Sequence, residues 1–320
     1  MQQNKKPKLY LHVGGATHFL RWEVPEFEKY FILVDKPSKK TPMLSFGPDV
    51  LYEASQLPAS QKFAVLFPGF GHNPVYNKEI NKLHRDLIKN HFDAVFINPG
   101  PLEIAYKGLK NIYHYPFSVD TSLVKMKSYR KRIRNLIHVS NDGLQKDWER
   151  SEAIMRKTGF EYEVYPPRRK SFFDREETKN KLKNKIRKLA GIAPKNYLPH
   201  GYVSHEKVVK KYQSYDGFVH IARDIKHQGL IDGKYTASLI EAGLTGAILF
   251  WHDTFGLGNH LKTVFSLPLD PDEAAKEIIR IANTIDVEEH SKKTRQEMLE
   301  TFNPKDSVKI RSDVILSLLK

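Results

Sequence analysis

The chain has 320 residues, 40% hydrophobic and 11% aromatic, which is enough apolar material for two buried cores and excludes a disordered polymer. Its 52 Lys and Arg against 37 Asp and Glu leave a net charge of +15, which favours anionic partners: nucleotide-sugars, nucleic acid, acidic polymers or an anionic membrane surface. With no cysteine, disulfides, zinc thiolates and cysteine nucleophiles are excluded; with a polar start and no run of about 18 apolar residues, neither a signal peptide nor a membrane-spanning helix is expected.

In chain order, short apolar runs at 9–13, 30–34, 63–67, 94–98 and 111–115 predict buried strands, being rich in Val, Ile, Phe and Tyr. Between them, 78–90 reads as a helix, with Ile80, Leu83, Leu87 and Ile88 at helical spacing. The pattern changes around 116–127 and a basic run follows at 125–134. A second series of strands is predicted at 135–139, 160–165, 197–203, 217–221, 247–251 and 264–267. Helices are predicted at 143–157, 172–189, 205–215, 235–244 and 272–285, then at 287–302 and 307–319. Strand and helix alternate through both halves, which is the pattern of parallel sheets covered on both faces. The expected organisation is a first α/β domain over 1–120, a second over 121–302, and a last helix over 303–320 packing back on the first.

Several segments sit where such sheets build ligand crevices. Gly14 and Gly15 follow the first strand, where glycine lets backbone approach a ligand or simply makes a tight turn. His72, after the third strand, is a candidate polar contact or catalytic base. The stretch from Gly229 to Thr236 falls short of a phosphate loop: three residues separate its glycines, and Tyr235 rather than Ser or Thr follows Lys234. Gly233 and Thr236 nevertheless lie at an expected helix start, where free N–H groups favour a phosphate, and Lys234 adds charge. Arg223, beyond the 217–221 strand, is a candidate diphosphate partner or one half of an ion pair with Asp224. His200 and His205 are five residues apart and make no zinc pattern, so no metal site is expected; Ser204 reads as the cap of the helix at 205.

The region from Phe218 through Asp232-Gly233 to Leu239-Ile-Glu241-Ala242-Gly243, Gly246 and the 247–251 strand resembles the donor domain of the GT-B glycosyltransferases, in particular their retaining, group-1-like branch. Upstream, Gly201, Tyr212 and Asp216 look like that family's lead-in, and 135–141 with Lys146 looks like the first donor-domain strand and its lysine. The resemblance covers roughly 111–285; the first half resembles the family in topology only.

The resemblance implies two Rossmann-like, doubly wound parallel-sheet domains facing a cleft. It implies a nucleotide-sugar in the second domain, with Glu241 on the ribose and the phosphates near Gly233–Thr236, helped by Arg223 or Lys146. Gly14 and Gly15 would approach the donor phosphate, and His72 would face the cleft. The family's first motif acid belongs eight residues before Glu241; that position is Gly233, with Asp232 beside it.

The expected activity is metal-independent transfer of a hexosyl group with retention, requiring no cofactor beyond the donor. The acceptor is open: an anionic or polymeric acceptor fits the charge, and the basic run suits peripheral contact with the inner face of a membrane in a cytoplasmic protein. Two other classes stay in view, a non-catalytic sugar- or polymer-binding relative and a nucleic-acid-associated protein, though no nucleic-acid module is recognisable.

Overall fold

The computed structural model describes residues 6–13, 22–67, 74–122, 124–140, 146–165, 204–223, 235–252 and 254–319. The first half contains β1 (Lys8–Val13), α1 (Val24–Phe27), β2 (Ile32–Val34), β3 (Met43–Phe46), α2 (Leu51–Gln56), β4 (Lys62–Leu66), α3 (Lys78–His91), β5 (Ala94–Ile97), α4 (Pro101–Ala105) and β6 (Ile112–His114). The second contains β7 (Asn135–Val139), α5 (Trp148–Thr158), β8 (Glu161–Tyr165), α6 (His205–Tyr212), β9 (Gly217–Ile221), α7 (Ala237–Leu244), β10 (Ile248–His252) and β11 (Val264–Ser266). Three helices close the chain: α8 (Pro271–Thr284), α9 (Val287–Thr301) and α10 (Pro304–Leu318).

The strands form two sheets, in the orders β2-β1-β3-β4-β5-β6 and β11-β10-β9-β7-β8. All pairings are parallel. Each sheet therefore reverses its winding direction once, between β1 and β3 in the first and between β7 and β9 in the second. In open α/β sheets ligands bind outside the carboxyl ends of the strands at such a reversal.

Strand interiors are apolar on both faces because both faces are covered. In β4, Phe63 and Val65 face one core while Ala64 and Leu66 face the other; in β5, Ala94 and Phe96 oppose Val95 and Ile97 in the same way. The second sheet divides likewise: Phe218 packs with Tyr212, Leu239 and Ile240, whereas Val219 and Ile221 pack with Ile154, Ala274 and Ile278. Burying each such Val, Ile or Phe contributes roughly 1.5–3 kcal/mol before chain entropy is counted. The helices start at side-chain caps: Asn77 accepts from the N–H groups of Glu79 and Ile80, Asp270 from those of Asp272 and Glu273, and Asn303 from that of Asp306.

One central strand departs from the sequence reading. β3, fully buried between β1 and β4, was not among the predicted strands. Its four residues are bracketed by Pro42 and by Gly47-Pro48, which read as loop punctuation, and Ser45 interrupts the apolar run. Inside the sheet the Ser45 hydroxyl donates to the Phe63 carbonyl at 3.3 Å, so its polarity is satisfied locally. The predicted strand 197–203 and helix 172–189 lie outside the described residues.

After α9 the chain returns to the first sheet. Val308 and Ile315 of α10 join the core of Leu9, Phe27 and Phe96. Gln61 Nε2 donates to the Leu318 carbonyl at 2.8 Å, and Ser307 Oγ to the Pro116 carbonyl at 2.8 Å. Arg311 and Glu23, both buried, pair at 2.7 Å. The guanidinium lies over the rings of Tyr115 and Phe27, at 4.5 and 5.3 Å from their centroids.

Candidate functional site at the carboxyl ends of the second sheet

The reversal point between β7 and β9 is built from buried histidines and a strained acid. His138 of β7 is fully buried, its Nδ1 2.8 Å from the Val219 carbonyl and its Nε2 2.9 Å from Ser140 Oγ. Its ring stacks on that of His220 of β9 at 5.3 Å, locking the two strand ends together.

Beyond β7, Lys146 leads into Asp147, the N-cap of α5. Asp147 is the one residue other than glycine at positive φ among the described residues, with φ 31°. For a non-glycine residue that conformation costs roughly 1–2 kcal/mol and marks a functional constraint more often than an accident. Its buried carboxylate has Oδ2 3.1 Å from Arg150 Nε and 3.7 Å from Arg223 Nε. Ser151 then ties the first turn of α5 to β9: its hydroxyl donates to the Asp147 carbonyl at 3.3 Å and accepts from the Ile221 N–H at 3.2 Å. The outcome is a cationic rim. Arg223 keeps 43% of its side-chain surface exposed, and its acid, Asp147, follows Lys146 in the chain beyond β7. The partner of Arg223 found here is Asp147; Asp224 lies outside the described residues.

The second part of the site is α7. Thr236, buried, caps it by accepting from the Leu239 N–H at 3.3 Å. Small residues close the helix for packing reasons. A Cβ at Gly243 would fall 2.6 Å from Met298 Cγ, and Gly246 turns at φ 79°, where a Cβ would meet Ser291 Oγ at 2.7 Å. Glu241 therefore sits on a helix wedged between α9 and the sheet, with 13% of its side chain exposed. Its Oε1 accepts from His205 Nε2 at 2.6 Å. His205 opens α6, whose far end leads into β9, so the histidine is at the carboxyl edge of the sheet. Beneath the pair, burial and then the Glu241 charge push the Tyr212 phenol well above its ordinary range, keeping it neutral.

The opposite ends of α6 and α7 are fixed by Arg130, from the segment joining the sheets. Its guanidinium donates to the carbonyls of Tyr212, Tyr215 and Thr245 and to the Thr245 hydroxyl. Burial lowers its pKa to about 10, still charged at neutral pH. At the amino ends of the strands lies a separate concavity of about 560 Å³, lined by Lys207, Lys210, Lys211, Tyr162 and Tyr215 among others. Beside it Glu163 accepts from Tyr165, Tyr215 and Lys211. Burial alone would raise its pKa, but those bonds outweigh it and hold the carboxyl below its usual value.

Of the residues singled out from the sequence, Lys146, Arg223, Thr236 and Glu241 all fall at this end of the second sheet. Gly14, Gly15, His72, Asp232, Gly233 and Lys234 lie outside the described residues. His205 and Asp147 were not foreseen as site residues. Among the described residues no cluster of three or more His, Asp or Glu has metal-binding geometry, and no helix is long and apolar enough to cross a membrane.

Two parallel, doubly wound sheets of this order make the GT-B fold, and the solved structures that superpose on the chain are GT-B glycosyltransferases. Sucrose-phosphate synthase from Thermosynechococcus elongatus aligns over 98% of this chain and 99% of its own, with TM-score 0.66 and 12% identity. HepE from Anabaena, solved with UDP and glucose, aligns over 98% and 100% with TM-score 0.63 and 11% identity. TarM aligns over 88% of this chain and 55% of its own, with TM-score 0.58 and 16% identity. No protein-family model and no curated protein matches the sequence.

Proposed function

We propose that the protein is a glycosyltransferase that takes a hexosyl group from a nucleotide-sugar and passes it to a hydroxylated acceptor, with retention and without a metal. The observation that carries this reading is the gathering of Lys146, Arg223, the capped start of α7 and Glu241 at one end of a GT-B sheet. HepE, which shares the fold over its whole length, is solved with UDP-glucose. In this reading residues 1–120 hold the acceptor, 121–302 hold the donor and 303–320 return to the first unit.

The chemistry asks little covalent work of the protein. The acceptor oxygen bonds to the anomeric carbon as the bond from that carbon to the diphosphate breaks. The acceptor proton passes to the departing phosphate oxygen on the same face of the sugar. What accelerates the step is charge stabilisation on the leaving diphosphate and alignment of the reactants. Arg223 and Lys146 supply cations, and the first turn of α7 supplies unpaired N–H groups; Asp232, Gly233 and Lys234 precede that turn. Glu241 binds the ribose. Gly14 and Gly15, from the acceptor-holding unit, approach the donor phosphate, and His72 of the same unit faces the cleft as a polar contact or base. The net charge of +15 suits an anionic or polymeric acceptor. A TarM variant is solved with fondaparinux, a GlcNAc-glycerol and UDP.

A thermal-shift screen against UDP, GDP, ADP, TDP and their sugars tests the reading. A ligand at 100 times its Kd stabilises by about 2.7 kcal/mol, a readable shift in Tm. One nucleotide family is expected to stabilise the wild type and to lose most of that effect in Glu241→Ala. No shift with any nucleotide overturns the reading.

A further inference from the structure

We propose that His205 is the positioning residue of the donor site: by holding one oxygen of the Glu241 carboxylate it aims the group at a ribose diol, so the site selects ribonucleotide over 2′-deoxyribonucleotide donors. The inference rests on the donor reading above and narrows the class of substrate that reading admits.

Glu241 stands on a helix that is otherwise apolar, its neighbours Leu239, Ile240, Ala242, Gly243 and Leu244 all buried. A carboxylate there is costly unless it is hydrogen-bonded. His205 meets that need from a different helix, 36 residues earlier, at a distance in the charge-assisted range. The two side chains differ in exposure, 48% for the histidine and 13% for the acid, so the imidazole spans from solvent to a half-sunken carboxylate.

A carboxylate offers two oxygens and about four lone-pair positions. His205 takes one position on Oε1, which leaves acceptor capacity for a ligand with two adjacent hydroxyls. A ribose 2′,3′-diol presents two O–H donors on one edge, the pattern a fixed carboxylate accepts. A deoxyribose presents one. Without His205 the acid has three rotatable bonds to order when the ligand arrives. With it, one arrangement is already held, and the ordering cost at binding falls. A site built to bond a hydroxyl rejects the analogue that lacks it, because its polar group is then left without a partner.

Isothermal titration of the full chain with UDP, GDP and ADP, each beside its 2′-deoxy counterpart, tests this. The nucleotide that binds is expected to bind on the order of 10- to 100-fold more tightly as the ribo form, the worth of one hydrogen bond to a charged group. In His205→Ala the ratio falls toward unity through weaker binding of the ribo form alone. His205→Gln, which keeps an N–H donor, restores part of the ratio. Loss of the bond to Glu241 is expected to lower the Tm of His205→Ala modestly, which the same samples report, so affinities are compared at a temperature where every variant is folded. A wild-type ratio that survives in His205→Ala, or equal binding of both forms by the wild type, overturns this inference and leaves the donor reading standing. No binding of any nucleotide to the wild type overturns both.

Discussion

Two arginines divide the molecule by what surrounds them. Arg311, on the seam between α10 and the first sheet, is 1% exposed and satisfied throughout: Glu23 at 2.7 Å, the Ser307 carbonyl and hydroxyl at 3.1 and 3.0 Å, and two aromatic rings against its plane. Arg223, at the rim of the second sheet, is 43% exposed and lies 3.7 Å from an acid it shares with Arg150. The first has no capacity left for a ligand. The second stands at an exposed edge of the sheet, farther from its acid than Arg311 is from Glu23. A charged group can serve the fold or a ligand, and its burial in the folded chain separates the two cases. The difference teaches that the +15 charge is not one property: part of it is locked into seams and part stands at an exposed rim.

The comparison breaks most visibly at the seam. Arg311→Met leaves Glu23 buried and unpaired, and unfolding in urea is expected to show a loss of about 3–5 kcal/mol. Adding Glu23→Gln should recover much of that loss; an equally unstable double variant would mean the ring packing, not the ion pair, is what matters. At the rim the pattern reverses. Arg223→Ala is expected to change stability by no more than about 0.5 kcal/mol, since Arg150 still faces Asp147. Nucleotide affinity should fall by about 1.5–3 kcal/mol, the range for a charge-assisted bond. A large stability loss with unchanged affinity would move Arg223 into the structural class.

The smallest effect sharpens the distinction with a group between the two extremes. Glu163, part-buried, has its carboxyl pKa lowered by bonds from Tyr165, Tyr215 and Lys211 that outweigh its burial. A depressed folded pKa contributes stability that is present above the unfolded value near 4.5 and lost as pH falls through the folded one. Denaturation midpoints should therefore drop below about pH 4.5 by an amount that Glu163→Gln removes, worth a few tenths to about 1 kcal/mol in this partly screened setting.

How far the sequence spoke differs by element. β4, β5, β9 and β10 were legible because strands buried on both faces are short unbroken apolar runs between turns. β3 was not, because its proline and glycine brackets mimic a loop and only its neighbours β1 and β4 make it a strand. At the candidate site, Glu241 was singled out through the motif around it. His205 was weighed only as a metal ligand and set aside; its bond to Glu241 joins two helices that no local spacing connects. Arg311 could have been found. It shares a helix face with Val308, Ser312 and Ile315, all buried, and a cation on a core-facing stripe calls for a partner.

The return of α10 also sets a schedule. The first sheet has all six strands once residue 114 has been made, but Glu23 meets its partner only when residue 311 emerges. Synthesis at about 5–20 residues per second spends roughly 10–40 seconds on the intervening stretch. Through that interval an acid destined for burial stays unpaired and the Leu9–Phe27–Phe96 face stays uncovered. The residues of α10 are thus the ones that end the nascent chain's exposure to aggregation and chaperone capture.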